Sequence, residues 1–150
     1  MCGEALEKDI RFMREALKEA RCALADDEIP IGAVVECGGR IIGRGHNLTE
    51  RLNDVTAHAE MLALTAAAES LGGKFLNDCT LYITVEPCLM CAGAIGWSRV
   101  GRIVYGAADD KRGYMSQVCK SPFHPKSVVV TGVLEKECRE LMQNFFREKR

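Results

Sequence analysis

Short β-branched runs alternate with amphipathic stretches along this chain, and the alternation limits the folds open to it. Amphipathic stretches predict helices and apolar runs predict strands, because their side-chain periods are about 3.6 and 2 residues. Strands joined through helices form crossover units, so the order predicts an α/β fold with three α/β/α layers and a central mixed five-stranded sheet flanked by helices. The predicted helices are 9–25, 56–71, 88–98 and 135–150, and the predicted strands are 31–35, 41–45, 80–85, 102–105 and 127–131.

Glycine and proline mark the connections between these elements. Gly38-Gly39 separates the first two strands, which predicts a hairpin and one antiparallel pair. Residues 109–126 contain three glycine or proline breaks and predict a loop or a short helix. No repeat, low-complexity tract or linker interrupts the sequence, so residues 1–150 are predicted to form a single domain.

The composition excludes several classes of protein. Lys and Arg number 20 against 21 Asp and Glu, and 47% of the residues are hydrophobic, which excludes a disordered chain. No apolar run is long enough to cross a membrane, and no apolar signal segment follows Met1. We therefore expect a cytoplasmic protein without a membrane partner, whose eight cysteines are reduced.

Two short motifs carry the candidate chemistry, His58-Ala59-Glu60 and Pro87-Cys88-Leu89-Met90-Cys91. Each lies at the predicted start of a helix, and the helix starts of an α/β sheet converge on the edge where ligands bind. Cys88 and Cys91 are three residues apart, so both sulfurs can face one centre. One imidazole and two thiolates suit tetrahedral Zn²⁺ with a fourth position left to water, which predicts a catalytic metal site.

Glu60 completes this chemistry. A carboxylate two residues after His58 can reach the metal-bound water without itself binding the metal. Zinc lowers the pKa of that water from about 15.7 towards 7, and Glu60 can take its proton and pass it on. Attack by hydroxide followed by proton delivery to a leaving amine is hydrolytic deamination.

Other interpretations stay open on the residues alone. A thioredoxin-like redox pair also follows a strand and opens a helix. A purely structural zinc site would take a fourth ligand from His46, His124 or another cysteine. A non-catalytic zinc-binding or RNA-binding module is a third interpretation, although it would need no Glu60. Six cysteines lack a spaced partner and are predicted to be core or incidental residues: Cys2, Cys22, Cys37, Cys79, Cys119 and Cys138.

The two motifs stand in the order of the zinc deaminase signature, and the likeness covers nearly the whole chain in register. The sequence resembles the bacterial tRNA-specific adenosine deaminases, which convert the wobble adenosine of an anticodon to inosine. The segments that carry the resemblance are 28–35, 43–47, 56–60, 80–94, 99–106 and 145–147.

The resemblance implies a cytidine-deaminase-like fold, one Zn²⁺ per chain, a tRNA anticodon stem-loop as partner and a homodimer. It implies that His58, Cys88 and Cys91 are the zinc ligands. It also implies that Glu60 is the catalytic proton shuttle.

Four substrate contacts are implied as well. Asn47 matches the asparagine that hydrogen-bonds the flipped base, and Asp109 falls where the family contacts the neighbouring nucleotide. Ile31 lies where an apolar side chain lines the base pocket, and the backbone N–H of Ala59 would face the ring at C6. A carboxamide both donates and accepts hydrogen bonds, so Asn47 can read a purine edge, although a turn residue after Gly45 is an alternative.

The chain departs from the family at two places. Val55 stands where the family commonly has proline, and segment 114–126 is shorter than the usual loop and lacks its typical sequence. Since that region shapes the RNA-binding rim in the family, the alternative function is deamination of a free base or nucleoside such as guanine, cytosine or cytidine.

Net charge does not decide between these substrates, because the pI is near 6.3. Basic residues nevertheless cluster in the second half of the chain, where solvated ends and phosphate contacts are both open interpretations. They are Lys111, Arg112, Lys120, Lys126, Arg147, Lys149 and Arg150.

Overall fold

The computed structural model describes residues 2–149, and their elements follow the predicted order. The helices are α1 (Cys2–Ala25), α2 (Ala59–Leu71), α3 (Leu89–Trp97) and α4 (Glu135–Glu148). The strands are β1 (Gly32–Cys37), β2 (Arg40–His46), β3 (Thr80–Val85), β4 (Arg102–Ala107) and β5 (Val128–Thr131). Within the predicted loop 109–126, only Tyr114–Ser116 form a short 3₁₀ turn.

All five strands belong to one mixed sheet of order β2-β1-β3-β4-β5. β3, β4 and β5 run parallel, whereas β1 is antiparallel to both β2 and β3. The sequence predicted only the hairpin pair. The second antiparallel pair arises because α2 carries the chain from β2 across to the far side of β1, so that β3 runs parallel to β2.

Apolar residues cover both faces of the sheet. Leu81 and Ile83 of β3 lie in a cluster with residues of α2 and α3, and Tyr82 between them lies in a second cluster with residues of α1 and α4. Every residue of β3 is buried, as expected of a central strand with helices on both sides. The predicted α/β/α layering is therefore confirmed.

Two helix starts differ from the prediction by more than one residue. α1 begins at Cys2 rather than Asp9. Residues 3–8 are helical but exposed, and their sequence shows no apolar period from which a helix could be predicted. α2 begins at Ala59 rather than Thr56, and Thr56 instead donates its hydroxyl to Asp54 Oδ1 at 2.7 Å.

α2 packs unusually closely on β2. A Cβ added at Gly45 would lie 2.5 Å from the carbonyl oxygen of Ala59, so only glycine allows this approach. The contact fixes the first turn of α2 beside the end of β2. No helix in the described part of the chain has the length and apolar character needed to span a membrane.

Candidate active site

The two motifs meet at one edge of the sheet, as the sequence predicted. His58 directly precedes α2 and Cys88 directly precedes α3, while Cys91 lies in the first turn of α3. Neither His58 nor Cys88 caps its helix through a side-chain hydrogen bond. Both side chains are therefore free to face one another.

The ligand atoms of His58, Cys88 and Cys91 all lie within 4.8 Å of one another. His58 Nδ1 is 3.6 Å from Cys88 Sγ and 3.4 Å from Cys91 Sγ. Around a tetrahedral zinc ion with bonds of about 2.3 Å to sulfur and 2.0–2.1 Å to nitrogen, a sulfur and a nitrogen are about 3.6 Å apart. The donor set and its spacing thus fit one Zn²⁺.

The electrostatics of the group favour a metal-binding thiolate. A hydrogen bond from Cys91 lowers the pKa of Cys88 to about 4, since it outweighs burial and is reinforced by His58. The same hydrogen bond and burial raise the pKa of Cys91. The hydrogen bond with Cys88 raises the pKa of His58 against the opposing effect of burial.

Glu60 lies in the first turn of α2 and is 4% exposed. Burial raises the pKa of its carboxyl group to about 7, with a further rise from Cys88 and opposing hydrogen bonds from its own backbone N–H and from Cys91. Glu60 stands outside the set of ligand atoms and influences the pKa of Cys91. Glu60 therefore lies beside the metal group, by which we mean His58, Cys88 and Cys91, and is not a member of it.

Asn47 follows β2 and lies close to the start of α2. Its backbone N–H donates to the carbonyl of Ile31 at 3.1 Å, and the next residue, Leu48, donates to the carbonyl of Ala57 at 3.0 Å. Asn47 is 5% exposed, and its Oδ1 has no hydrogen-bond partner among the described residues. A buried amide oxygen without a hydrogen bond costs free energy, and no described residue supplies that bond to Asn47.

Ile31 and Ala59 line the same region. Ile31 is half-buried and packs against the cluster formed with α2 and α3. Ala59 is the first residue of α2 and is 1% exposed.

Asp109 lies on the loop that follows β4 and is half-buried. Its Oδ1 accepts the N–H groups of Lys111 and Arg112 at 3.0 and 3.1 Å. The backbone of this loop pairs with the turn that carries Cys88 and Cys91, which we call the cysteine turn, through an antiparallel bridge between Gly113 and Cys88. Asp109 thus lies at the start of a loop that contacts Cys88 through Gly113.

The sequence reasoning missed two buried carboxylates that hold loops around the site. Glu28, 1% exposed, accepts the N–H groups of Glu50 and Arg51 at 3.1 and 2.8 Å. Glu86, 6% exposed, accepts the N–H groups of Asp109 and Met115 at 3.1 and 3.0 Å. For Glu86 the available signal was an isolated acidic residue directly after the apolar run 80–85. Glu28 follows Asp26 and Asp27, and no local pattern sets it apart from them.

The remaining candidate ligands are placed elsewhere. His46 Nδ1 lies 3.0 Å from Glu19 Oε1, and His124 Nδ1 accepts the N–H of Lys126 at 3.1 Å. Neither histidine joins the group of ligand atoms.

Five of the six other cysteines are free, and the side chain of Cys2 lies outside the described part of the chain. Cys79 and Cys138 are buried, Cys37 is half-buried, and Cys22 and Cys119 are exposed.

Comparison with known proteins agrees with this geometry. Residues 6–107 match the family model of the cytidine and deoxycytidylate deaminase zinc-binding region. The tRNA-specific adenosine deaminase of Bacillus subtilis is 46% identical over 149 residues, which cover 97% of this chain and 92% of that protein.

Solved structures show the same fold. One from a study of A-to-I editing by tRNA:A34 deaminases at the wobble position of transfer RNA is 44% identical, with a TM-score of 0.80 over 87% of this chain and 98% of that one. The guanine deaminase of Bacillus subtilis is 41% identical, with a TM-score of 0.62 over 65% of this chain and 63% of that one. The cytidine-deaminase-like fold, the zinc cofactor and the hydrolytic enzyme class are confirmed, and the chain belongs to the tRNA-specific adenosine deaminases within the zinc-binding cytidine and deoxycytidylate deaminase family.

Proposed function

We propose that this chain, acting as one deaminase domain over residues 1–150, hydrolyses adenosine to inosine at the wobble position of a tRNA anticodon loop. The observation that carries the proposal is the group of His58, Cys88 and Cys91 with the buried Glu60 beside it. The relatives that act on tRNA match nearly the full chain, which supports the substrate.

The reaction consumes one water and releases one ammonia. One Zn²⁺, held by His58 Nδ1 and the sulfurs of Cys88 and Cys91, would supply a water that is acidic enough to lose a proton at neutral pH. The Glu60 carboxylate accepts that proton and delivers it to the N6 amino group as the C6–N6 bond breaks. The backbone N–H of Ala59, in the same turn, faces the ring at C6.

Asn47 and Ile31 hold the purine in this proposal. The free Oδ1 of Asn47 accepts a hydrogen bond from the base, and Ile31 packs on its apolar face. The backbone hydrogen bond between the two residues keeps both on one side of the pocket.

RNA binding requires contacts beyond the base. Asp109 is proposed to contact the neighbouring nucleotide, and the exposed Lys111 and Arg112 follow it on the same loop. At the other end of the chain, Arg147 and Lys149 are exposed on or next to α4, and Lys149 pairs with Asp27 at 2.7 Å. Arg150 lies outside the described residues.

We propose that the enzyme is a cytoplasmic homodimer. A reducing compartment keeps Cys88 and Cys91 reduced, and a disulfide between them would remove two metal ligands. The outer face of α3 carries exposed apolar side chains, with Leu89 50% and Trp97 86% exposed, and such a face supports contact with a second copy.

The experiment is a comparison of substrates. The protein is incubated with an anticodon stem-loop that carries a wobble adenosine, and inosine and ammonia are measured. Matched reactions contain guanine, cytosine, cytidine or adenosine alone, and a stem-loop with guanosine at the wobble position is the negative control. Binding of the stem-loop is also measured at rising salt, because its slope reports phosphate contacts. Turnover of a free base with an unchanged stem-loop would reject the proposal.

Deamination of a free base is the second candidate. A specific likeness favours it, since the guanine deaminase of Bacillus subtilis is 41% identical over the part that aligns. The departure of segment 114–126 from the usual RNA-binding loop points the same way. The zinc chemistry would be the same, so only the substrate comparison separates the two candidates.

A further inference from the structure

Glu86 lies between β3 and α3, directly before Pro87 and two residues before Cys88. Its carboxylate is buried, and its two oxygens accept different backbone N–H groups, Asp109 at Oε1 and Met115 at Oε2. None of the ion pairs formed within residues 2–149 includes Glu86. A buried carboxylate therefore depends on the two ends of one loop for its hydrogen bonds.

The loop that Glu86 holds is residues 108–115. Between its two ends the chain is closed by further bonds, since the carbonyl of Asp109 accepts the N–H of Gly113 at 2.9 Å and its Oδ1 accepts two more N–H groups. Both ends of this closed loop are attached to a single side chain.

The same loop rests on the cysteine turn. Gly113 pairs with Cys88, and Tyr114 donates its N–H to the carbonyl of Pro87 at 2.9 Å. A Cβ at Gly113 would overlap the Glu86 carboxyl group, so loop and carboxylate are packed in direct contact. Glu86 and the backbone of Cys88 therefore contact the same loop.

We propose that Glu86 is a positioning residue, whose carboxylate holds loop 108–115 on the backbone of Cys88 and so fixes both this ligand and Asp109 at the rim of the site. The part that concerns Asp109 and substrate rests on the proposed function, whereas the part that concerns Cys88 does not. Only a carboxylate suits the role, because a glutamine would turn its NH₂ donor towards one of the two N–H donors.

The test is Glu86→Gln, measured without substrate. Competition with a chromophoric chelator gives the zinc affinity, and hydrogen exchange followed by mass spectrometry gives the protection of amides 109–115. Residues that orient metal ligands typically change metal affinity about 10- to 100-fold, and we expect a loss in this range. We also expect faster exchange in the loop. With zinc saturating, KM for the stem-loop should rise more than kcat falls.

Glu36→Gln is the matched control. Glu36 is likewise buried and accepts a backbone N–H, from Gly39 at 2.8 Å, but it lies at the hairpin end of β1, remote from Cys88. This variant should lower stability while zinc affinity and exchange of residues 109–115 stay at the wild-type level. Equal zinc loss in both variants would overturn the proposal.

Wild-type zinc affinity and loop exchange in Glu86→Gln would also overturn the proposal. Should that variant fail to fold, Glu86→Asp, which keeps both acceptor oxygens on a side chain one methylene shorter, is measured in the same way and must also weaken zinc binding. A wild-type protein that leaves the stem-loop unchanged would reject the proposed function alone, because the substrate-free measurements would still decide the role of Glu86.

Discussion

The Nδ1 atom of His58 lies 3.4 Å from the Sγ atom of Cys91, although 33 residues separate them in the sequence. Cys88 and Cys91 are brought together by one helical turn, but His58 reaches them from the start of a different helix. The site therefore depends on α2 and α3 beginning at the same edge of one sheet.

Replacing one sulfur ligand should release the metal. Cys88→Ser exchanges a soft thiolate with a low pKa for a hydroxyl that stays protonated. Zinc affinity should therefore fall by more than about 100-fold, which exceeds the usual effect of replacing a residue that only orients a metal ligand. Zinc content per chain, measured by elemental analysis after dialysis, checks this. Cys119→Ser, at an exposed free cysteine, should keep about one zinc per chain.

Replacing Glu60 should stop the reaction while the metal stays. Glu60→Gln keeps the shape of the buried side chain but cannot accept a proton, so kcat should fall by about 100- to 10,000-fold. Zinc content should remain about one per chain. Glu69→Gln, an exposed position on the same helix, should match the wild type. Loss of zinc in Glu60→Gln would place this carboxylate among the ligands and contradict the proposed role.

Asn47→Ala should affect binding of the base and leave the fold intact. Its Oδ1 makes no hydrogen bond within the described chain, so its removal breaks none there. A buried partner left unpaired costs about 1–3 kcal/mol, which predicts a loss of about 5- to 150-fold in kcat/KM. Activity assays measure the loss in kcat/KM, and thermal unfolding shows whether the fold stays intact. An unchanged kcat/KM would reject Asn47 as a base contact.

The metal group could be predicted from the sequence because its information is local. Cys88 and Cys91 are spaced for one helical turn, and His58 and Glu60 lie at the start of another predicted helix. The edge at which these helices begin follows from the alternation of strands and helices, which is a property of the fold class.

Residues whose role depends on distant backbone groups could not be predicted in this way. The role of Glu86 can be recognised only in the fold, where Asp109, 23 positions later in the chain, donates its N–H to the Glu86 carboxylate. The early start of α1 was missed for a different reason, since residues 3–8 touch no core and show no apolar period. Patterns of burial therefore predict packed elements better than exposed ends or loop contacts.

Acid should weaken the fold through Asp9. This carboxylate is 3% exposed and accepts two hydrogen bonds of 2.6 Å from Arg102 and one of 2.8 Å from Tyr82. Burial by itself would raise its pKa, but the bonds from Arg102 and Tyr82 and the positive charges of Arg102 and Lys8 lower it below the usual 3.8.

Because the folded pKa of Asp9 is the lower one, its contribution to stability is complete above the unfolded pKa and disappears as the pH falls through the folded value. Urea unfolding from pH 7 down to pH 2.5 should therefore show a loss below about pH 4 that Asp9→Asn lacks. At pH 7, breaking this pair, in which Asp9 is buried and the Arg102 side chain is 30% exposed, should cost more than the roughly 1 kcal/mol of an exposed pair and less than the roughly 3–5 kcal/mol of a fully buried one. Asp26→Asn, in an exposed pair with Arg51, should cost less than about 1 kcal/mol. Parallel pH profiles for wild type and Asp9→Asn would contradict the assignment.

The exposed face of α3 leads to a prediction about assembly. Trp97 is 86% exposed, and Leu89 and Met90 on the same helix are 50% and 37% exposed, so the helix presents apolar surface to solvent in a single chain. If a second copy covers this face, Trp97→Glu should place a charge in the interface and shift the protein towards the monomer. Light scattering coupled to gel filtration over a range of concentrations measures the mass. Met115→Glu is the control, because Met115 is 65% exposed but lies outside α3. If the dimer persists in Trp97→Glu but dissociates in Met115→Glu, the interface lies at the loop after β4 and not at α3. A wild-type protein that stays monomeric at every concentration would contradict the proposed homodimer.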